Sequence, residues 1–187
     1  MTALNLFLFA LAAVVFGVVF VRSIPVLSAY VHFRGKRLIT CPETLKTAAV
    51  DVAARKAALT AVFGEPTLRL DRCSRWPARQ DCGQECLEQV EADPDNCLLW
   101  NTVSNWYEGK DCVYCQKRFG PLHHLDHIPA LLAPDGTTAK WNEFRPEQLP
   151  DVFSIFQPVC WDCHVAEKFR HVHPELVTDR HRDVVSH

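Results

Sequence analysis

Two short stretches of sequence decide the fold of the C-terminal half of this chain: Cys112-Val-Tyr-Cys115 and Cys160-Trp-Asp-Cys163-His164. Two residues between paired cysteines allow both sulfurs to face one point from a tight turn. Two such turns supply the four thiolates that a tetrahedral zinc ion binds. The predicted zinc ligands are therefore Cys112, Cys115, Cys160 and Cys163.

The second stretch has another interpretation, because Cys-x-x-Cys-His is also the attachment motif of c-type haem. Cys160 and Cys163 would then form thioethers to the haem, and His164 would be its proximal ligand. That chemistry requires an exported domain and leaves the pair at positions 112 and 115 without a role. Zinc accounts for both pairs at once, so zinc is the predicted cofactor and haem c is the alternative.

Length, charge and cysteine content limit the remaining possibilities. The 187 residues suffice for one modest domain with an appendage. The net charge is −2, so overall charge identifies no partner. Nine cysteines exceed ordinary usage for this length and indicate metal, haem, disulfides or a mixture. Because nine is odd, at least one thiol lies outside any scheme made only of pairs.

The N-terminus carries an apolar run, since residues 2–21 contain no charged side chain. A helix of about 20 such residues crosses a bilayer. Three features oppose a signal peptide: there is no basic n-region, the apolar run is long, and no small-x-small cleavage site follows that run before Arg22. We therefore predict a retained transmembrane anchor over residues 1–22 of a single-pass membrane protein.

Basic residues follow the apolar run, first Arg22 and then Arg34, Lys36 and Arg37. The positive-inside rule places this flank, and with it the soluble domain, in the cytoplasm. A reducing cytoplasm keeps cysteines as thiols, which suits metal binding and opposes structural disulfides. Residues 23–38 are predicted to form a juxtamembrane segment whose basic end either contacts anionic lipid of the bilayer or is a solvated link.

Residues 39–109 are predicted to form a small α/β part with a helical hairpin that carries cysteines. Alanine content and a following Gly64 indicate its first helix, and apolar periodicity indicates two more around the turn Asp93-Pro-Asp95. The predicted helices span 53–63, 81–91 and 97–107, a short strand spans 67–70, and 48–52 fits either a strand or the start of a helix.

A second set of cysteines lies in this hairpin region. Positions 82 and 86 are four residues apart, so a helix would present both sulfurs on one face. The start of the next helix would bring position 97 close to them. We interpret the set as a second zinc site or an iron–sulfur cluster, with two disulfides or buried free thiols as alternatives. Its members are Cys73, Cys82, Cys86 and Cys97, which leaves Cys41 as the predicted unpaired cysteine.

Residues 110–174 are predicted to form a zinc-binding part built as a treble clef. The first cysteine pair is a knuckle that runs into a hairpin. The second pair starts an amphipathic helix in which Val165, Phe169 and Val172 share one face. The predicted fold class is therefore α+β: one N-terminal transmembrane helix, a small cysteine-rich domain with a treble-clef zinc finger, and a flexible tail over 175–187.

The same region resembles the HNH nuclease family, which is built on a treble clef. Many members read Cys-x-x-Cys, then Asp-His-Ile-x-Pro, then Asn-Leu, then Cys-x-x-Cys-His followed by a lysine. Asp126-His127-Ile128 lies between the two knuckles here, and His164 and Lys168 follow in the same order. The resemblance implies that His127 is a general base and that Asp126 and His164 hold a catalytic divalent metal.

The resemblance covers residues 112–168 and departs from the family pattern in two places. Pro129 follows Ile128 directly, one residue earlier than is common. Residues 154–159, before the second knuckle, contain no asparagine. The catalytic set is thus incomplete, and the resemblance is to a degenerate member that has kept its zinc.

These observations predict a membrane-anchored zinc-binding protein with an interaction or assembly role at the membrane surface. The implied partners are the lipid bilayer and another membrane or membrane-associated protein. Two alternatives stay open. One is an HNH-type metal-dependent nuclease that acts on nucleic acid, and the other is an exported, membrane-anchored electron-transfer protein that uses Cys160, Cys163 and His164.

Overall fold

The computed structural model describes residues 3–76, 78 and 81–176. The chain divides into two compact units, Met1–Thr102 and Val103–His187. Both units combine helices with a sheet, so the predicted mixture of helix and strand is confirmed. The predicted flexible tail lies outside the described residues apart from Glu175 and Leu176, which belong to a short 3-10 helix.

Unit 1 combines a long N-terminal helix with a three-stranded antiparallel sheet of order β1-β2-β3. In chain order its elements are α1 (Ala3–Phe33), β1 (Lys36–Thr40), β2 (Thr47–Val52), α2 (Ala54–Thr60), β3 (Leu70–Cys73) and α3 (Leu87–Ala92). The helix α4 (Leu99–Tyr107) begins in unit 1 and ends in unit 2.

The helix α1 has two different environments along its length. Its 31 residues extend over about 46 Å at about 1.5 Å per residue. The large apolar side chains from Leu4 to Val21 are exposed. The helix is long and apolar enough to cross a membrane, a property that it would share with a signal sequence. Its last turns pack against α2, and Ala29 and Phe33 belong to the core of unit 1. Residues 23–33 are thus the end of a continuous helix rather than a separate interfacial segment.

The sheet of unit 1 contributes side chains from all three strands to its apolar core. In the ladder, Ile39 of β1 lies opposite Ala48 of β2, and Val50 of β2 lies opposite Cys73 of β3. Residues 48–52 therefore form a strand, and the strand predicted at 67–70 begins only at its last residue. The core contains Ile39, Ala48, Val50, Val52, Leu70 and Val90 together with alanines of α2.

Arg37 is buried in this unit, with 1% of its surface exposed. Its guanidinium donates hydrogen bonds to the backbone carbonyl oxygens of Pro94 and His32. Burial lowers the pKa of Arg37, and the nearby Cys97 and Asp95 oppose that effect. The side chain therefore ties the end of α1 to the turn before α4, and it does not make the lipid contact predicted for the basic segment.

The predicted cysteine-bearing helix at 81–91 is shorter than expected and begins only at Leu87. Gln84 has a φ of 58°, a left-handed backbone conformation that interrupts a right-handed helix. Its side chain accepts a hydrogen bond from the backbone N–H of Leu70 at 2.9 Å, which ties this turn to β3. Cys82 therefore lies in a loop and Cys86 caps α3, so the prediction that both share one helical face is wrong.

Unit 2 contains a second three-stranded antiparallel sheet, of order β5-β4-β6. In chain order its elements are β4 (Ala130–Leu132), β5 (Thr138–Lys140), α5 (Leu149–Ile155), β6 (Gln157–Val159) and α6 (Trp161–Val172). Short 3-10 helices span Trp141–Glu143, Pro146–Gln148 and Pro174–Leu176. The central strand β4 pairs Ala130 with both Lys140 and Val159.

The end of α4 anchors the core of unit 2. Tyr107 is fully buried, and its hydroxyl donates a hydrogen bond to the carbonyl oxygen of Ala130 in β4 at 2.9 Å. Burial raises the pKa of this phenol, which therefore stays protonated. The ring of Trp106 stacks on Phe153 of α5 with centroids 4.5 Å apart. These contacts place α4 and α5 beside the sheet whose strand β6 directly precedes the second cysteine pair.

Candidate metal centre

Four sulfur atoms converge in unit 2. The Sγ atoms of Cys115 and Cys160 are 3.7 Å apart. A tetrahedral zinc with Zn–S bonds of about 2.3 Å has sulfur–sulfur edges of about 3.8 Å, so this distance suits a single ion of that size. The sulfurs that all lie within 4.8 Å of one another are those of Cys112, Cys115, Cys160 and Cys163. The structure thus brings the four predicted ligands together.

The first cysteine pair lies in a tight turn. The backbone N–H of Gln116 donates a hydrogen bond to the carbonyl oxygen of Cys112 at 2.9 Å. Gln116 has a φ of 58°, the left-handed conformation that closes such a turn. An antiparallel bridge between Asp111 and Arg118 brackets it. The turn leaves Cys112 buried and Cys115 exposed at its tip.

The second pair lies where β6 meets α6. Cys160 precedes the first turn of α6, and Cys163 lies in that turn. The backbone N–H of Cys160 donates to the Sγ of Cys112 at 3.3 Å, and the N–H of Val113 donates to the carbonyl oxygen of Pro158 at 3.0 Å. These bonds join the two knuckles, and the free N–H groups at a helix start favour thiolate over thiol.

The thiols influence one another's ionisation. Burial alone would raise the pKa of Cys112, but backbone N–H groups of Cys160 and Cys115 donate to its sulfur and lower its pKa to about 7. Burial raises the pKa of Cys163, and the neighbouring cysteines raise it further. One thiolate therefore forms readily, whereas each further thiolate meets the negative charge of the first. A bound cation removes that repulsion.

The protein supplies all four donors of this site. Cys112 and Cys160 are buried, and Ala130 packs against them. Structural zinc sites are filled by four protein ligands, whereas catalytic zinc sites keep one position for water or substrate. The arrangement can therefore hold a metal without exposing it to a reactant. The donor set by itself suits zinc or an iron–sulfur cluster.

His164, which follows the second pair, has its partner within the fold. The residue is 1% exposed, and its Nδ1 lies 2.9 Å from the Oγ1 of Thr138 in β5. Burial lowers the pKa of His164, and the nearby Lys168 and Lys140 lower it further. In a haem site this ring would bind iron, and in an HNH site it would hold the catalytic metal. Here it joins α6 to β5.

The remaining residues of the HNH resemblance lie on an exposed loop before β4. The Asp126 carboxylate accepts a hydrogen bond from the backbone N–H of His123 at 2.8 Å. The ring of His127 stacks on Trp161 with centroids 5.1 Å apart. Within the described residues, Asp126, His127 and His164 do not form a group whose ligand atoms all lie within 4.8 Å of one another. The predicted catalytic residues are thus not gathered around one ion.

Trp161 has a role that sequence reasoning missed. Its ring stacks on His127, and the ammonium group of Lys140 lies over the same ring, 4.6 Å from its centroid. It also lines a cavity of about 310 Å³ together with Asp126 and Asp162. The feature of the sequence that could have indicated this role is a bulky tryptophan between paired cysteines, where a small residue would suffice.

The other cysteines are arranged differently from the predicted second set. Cys97 is not among the described residues that line the cavity of unit 1 at which the other three members of that set lie. Its thiol donates instead to the carbonyl oxygen of Gln89 at 3.5 Å. All nine cysteines, each within the described part of the chain, are free thiols in this structure. One cavity of unit 1 is lined by Cys41, Cys73, Cys82 and Cys86. Cys41, predicted to be unpaired, thus takes the place predicted for Cys97.

Comparison with known proteins adds no relative. A scan against protein-family models finds no match, and searches among curated proteins and among solved structures find none either. The function is therefore inferred from the geometry of the chain itself.

Proposed function

We propose that this protein is a membrane-anchored zinc-binding protein whose C-terminal unit has an interaction or assembly role at the membrane surface. The observation that carries the proposal is the convergence of four sulfurs within 4.8 Å, with one sulfur–sulfur distance of 3.7 Å. That spacing suits one ion, and zinc is the usual ion in closed sites of four thiolates. The zinc would hold together a unit whose apolar core is small.

The order of elements in unit 2 supports a treble-clef arrangement for this zinc. The knuckle at Cys112 and Cys115 precedes the hairpin of β4 and β5, and α6 supplies the second pair at its start. A treble clef needs these parts in this order. We propose a degenerate HNH-type finger, in which His164 bonds to Thr138 instead of holding a catalytic metal.

The helix α1 supports a retained anchor with the folded units in the cytoplasm. The stretch from Ala3 to Val21, at about 1.5 Å per residue, matches the roughly 30 Å of a bilayer core. Ala29 and Phe33 at the end of the same helix belong to the core of unit 1, so removal of the helix would open that core. The basic residues that follow the span, starting with Arg22, support the cytoplasmic side.

The surface of α6 supports interaction rather than catalysis. Val165, Phe169 and Val172 are 45%, 50% and 68% exposed. The amphipathic helix therefore presents its apolar face to solvent instead of packing it into the core. An exposed apolar face on a helix that a metal holds in position suits docking of a protein. The proposed partner is another membrane or membrane-associated protein.

A metal-dependent HNH-type nuclease is the second candidate. The observation in its favour is the cavity beside Trp161, which Asp126 and His127 share with the basic residues Lys117 and Arg118. Such cations suit contact with the phosphates of nucleic acid. Nicking of plasmid DNA with a divalent metal, lost in His127→Ala, would establish this activity. Absence of nicking by the zinc-loaded protein would exclude it.

Elemental analysis of the full-length protein in detergent tests the zinc proposal. We expect one zinc per chain, and we expect Cys115→Ser and Cys163→Ser to lose it because each removes one of four ligands. Cys97→Ser is the matched control. Cys97 is not one of the four proposed zinc ligands, so its substitution should leave the zinc in place. A chain that purifies without zinc, or whose zinc survives both ligand substitutions, would contradict the proposal.

A further inference from the structure

A second group of thiols surrounds the cavity in unit 1, separate from the zinc site. This cavity has a volume of about 90 Å³, and Arg75 and Trp76 also line it. The thiols come from the loop after β1, from the end of β3 and from the segment that leads into α3. In chain order they are Cys41, Cys73, Cys82 and Cys86.

Backbone contacts bring these segments to one place. In the loop after β1, the N–H of Cys41 donates to the carbonyl oxygen of Lys46 at 2.9 Å. Cys73 is the last residue of β3 and lies opposite Val50 in the sheet. The hydrogen bond that the Gln84 side chain accepts from β3 holds the third segment beside that strand. The grouping therefore involves segments that are distant in the chain, not a short sequence motif.

The cavity that these four cysteines line is larger than one ion. Zinc would require sulfur–sulfur edges of about 3.8 Å. Apart from the site in unit 2, the described residues contain no group of three or more His, Cys, Asp or Glu ligand atoms that all lie within 4.8 Å of one another. One water molecule needs only about 10–15 Å³ of comparable volume, so a cavity of about 90 Å³ admits a larger group.

The chemistry that fits a wide site of four thiolates is an iron–sulfur cluster. Such a cluster takes four cysteine thiolates, as a single zinc does. Its several irons bind the cysteines from within, and its inorganic sulfides fill the space between the irons. The four thiols can therefore stand further apart than around one ion.

The polar groups beside the cavity also suit a sulfur-rich anion. The Nε1 of Trp76 is buried and has no hydrogen-bond partner among the described residues. An indole N–H can only donate, and a buried donor seldom lacks an acceptor. Sulfur atoms of a cluster or of its ligands would supply that acceptor. Arg75, which donates a hydrogen bond to the Thr44 hydroxyl, adds positive charge at the cavity, which Glu43 and Glu85 also line.

We propose that Cys41, Cys73, Cys82 and Cys86 hold an iron–sulfur cluster in unit 1. The site shares no ligand with the zinc site of unit 2, so either can be lost without the other. Its ligand set includes the loop cysteine Cys41 and excludes Cys97, whose thiol is bonded to a backbone carbonyl.

Iron and sulfide analysis of the full-length protein, purified in detergent without oxygen, tests this proposal. We expect iron and acid-labile sulfide together with broad visible absorption. Cys41→Ala and Cys82→Ala, both at partly buried cysteines, should lose iron, sulfide and colour because each removes a ligand. Cys97→Ala is the matched control and should retain all three. Each of these variants should still contain one zinc.

The outcomes separate the cluster from the zinc site. Cys115→Ser and Cys163→Ser should lose zinc and keep iron and sulfide. Colourless wild-type protein without iron and sulfide overturns the cluster, and so does a second zinc that is lost in Cys41→Ala. Loss of iron in Cys97→Ala overturns the ligand set. Because the wild-type measurement is decisive by itself, a variant that fails to fold does not leave the question open.

Discussion

Lys36 and Arg37 are neighbours in β1, yet only Arg37 is buried. Side chains alternate between the two faces of a strand, so Arg37 shares the inner face of β1 with the core residue Ile39. Its charge is offset by hydrogen bonds to two backbone carbonyl groups. A single residue's place in the pleat thus decides whether it contacts solvent or the core.

Phenylalanines on α1 show the same contrast and give a prediction. Phe33 is 8% exposed and belongs to the core of unit 1, whereas Phe20 is 59% exposed. We expect Phe33→Ala to lower the free energy of unfolding by about 3–5 kcal/mol, because it leaves a cavity in the core. Phe20→Ala, the matched control, should change that free energy by less than about 0.5 kcal/mol.

Chemical denaturation of the full-length protein in detergent measures both changes. Equal effects of the two substitutions would show that the last turns of α1 are not part of the core.

Two helices each serve two purposes. The first part of α1 is apolar enough to cross a membrane, and its last turns pack on α2. The start of α6 carries the second cysteine pair, and His164 one residue later bonds to β5. The later turns of α6 expose an apolar face. In α6, a metal bound at the proposed site would therefore fix the direction in which that face is presented.

The apolar face of α6 gives a prediction about the proposed partner. Phe169→Ser should leave zinc content and stability unchanged, because the ring is 50% exposed. Burial of a phenylalanine in an interface contributes about 1.5–3 kcal/mol, so its loss should weaken association by about tenfold or more. Chemical cross-linking in native membranes, with cross-linked species identified by mass spectrometry, measures this loss. Lys168→Ser, at the adjacent exposed position, is the control, and an identical cross-linking pattern in both variants would contradict docking on this face.

At the scale of the whole molecule, each unit has its own core and its own group of four cysteines. In unit 2 the buried side chains around β4 and β6 include two of the cysteines themselves, Cys112 and Cys160. A structural metal in so small a core contributes directly to folding. Loss of the zinc should therefore lower the stability of unit 2 far more than that of unit 1.

Removal of zinc tests this difference between the units. A zinc-selective chelator should raise amide hydrogen exchange across residues 103–176, because the two knuckles lose the ion that joins them. Exchange in the sheet of unit 1, within 36–73, should stay unchanged over the same period. Readdition of zinc should restore protection in unit 2. Uniform protection of both units after the zinc has been shown to leave would contradict a structural role for the metal.

Local patterns in the sequence were sufficient for part of this structure. The two-residue spacing of each cysteine pair predicts which sulfurs share a turn, and the structure brings those four sulfurs together. The apolar run from residue 2 to 21 predicts a helix able to span a membrane, and the helix is present. Both features depend on residues close together in the chain, so their physics is readable from the sequence.

Tertiary structure decided what depends on contacts between distant segments. Cys41 and Cys73 line one cavity although they are 32 residues apart, and no spacing rule connects such distant positions. Arg37 is buried because of its strand register. The left-handed Gln84, whose side chain bonds to β3, interrupts the predicted helix before its observed start at Leu87. The sequence by itself determined the knuckles and the apolar span. Packing of sheet, loop and helix determined which of the other residues became neighbours, because that packing depends on the whole core rather than on any local pattern.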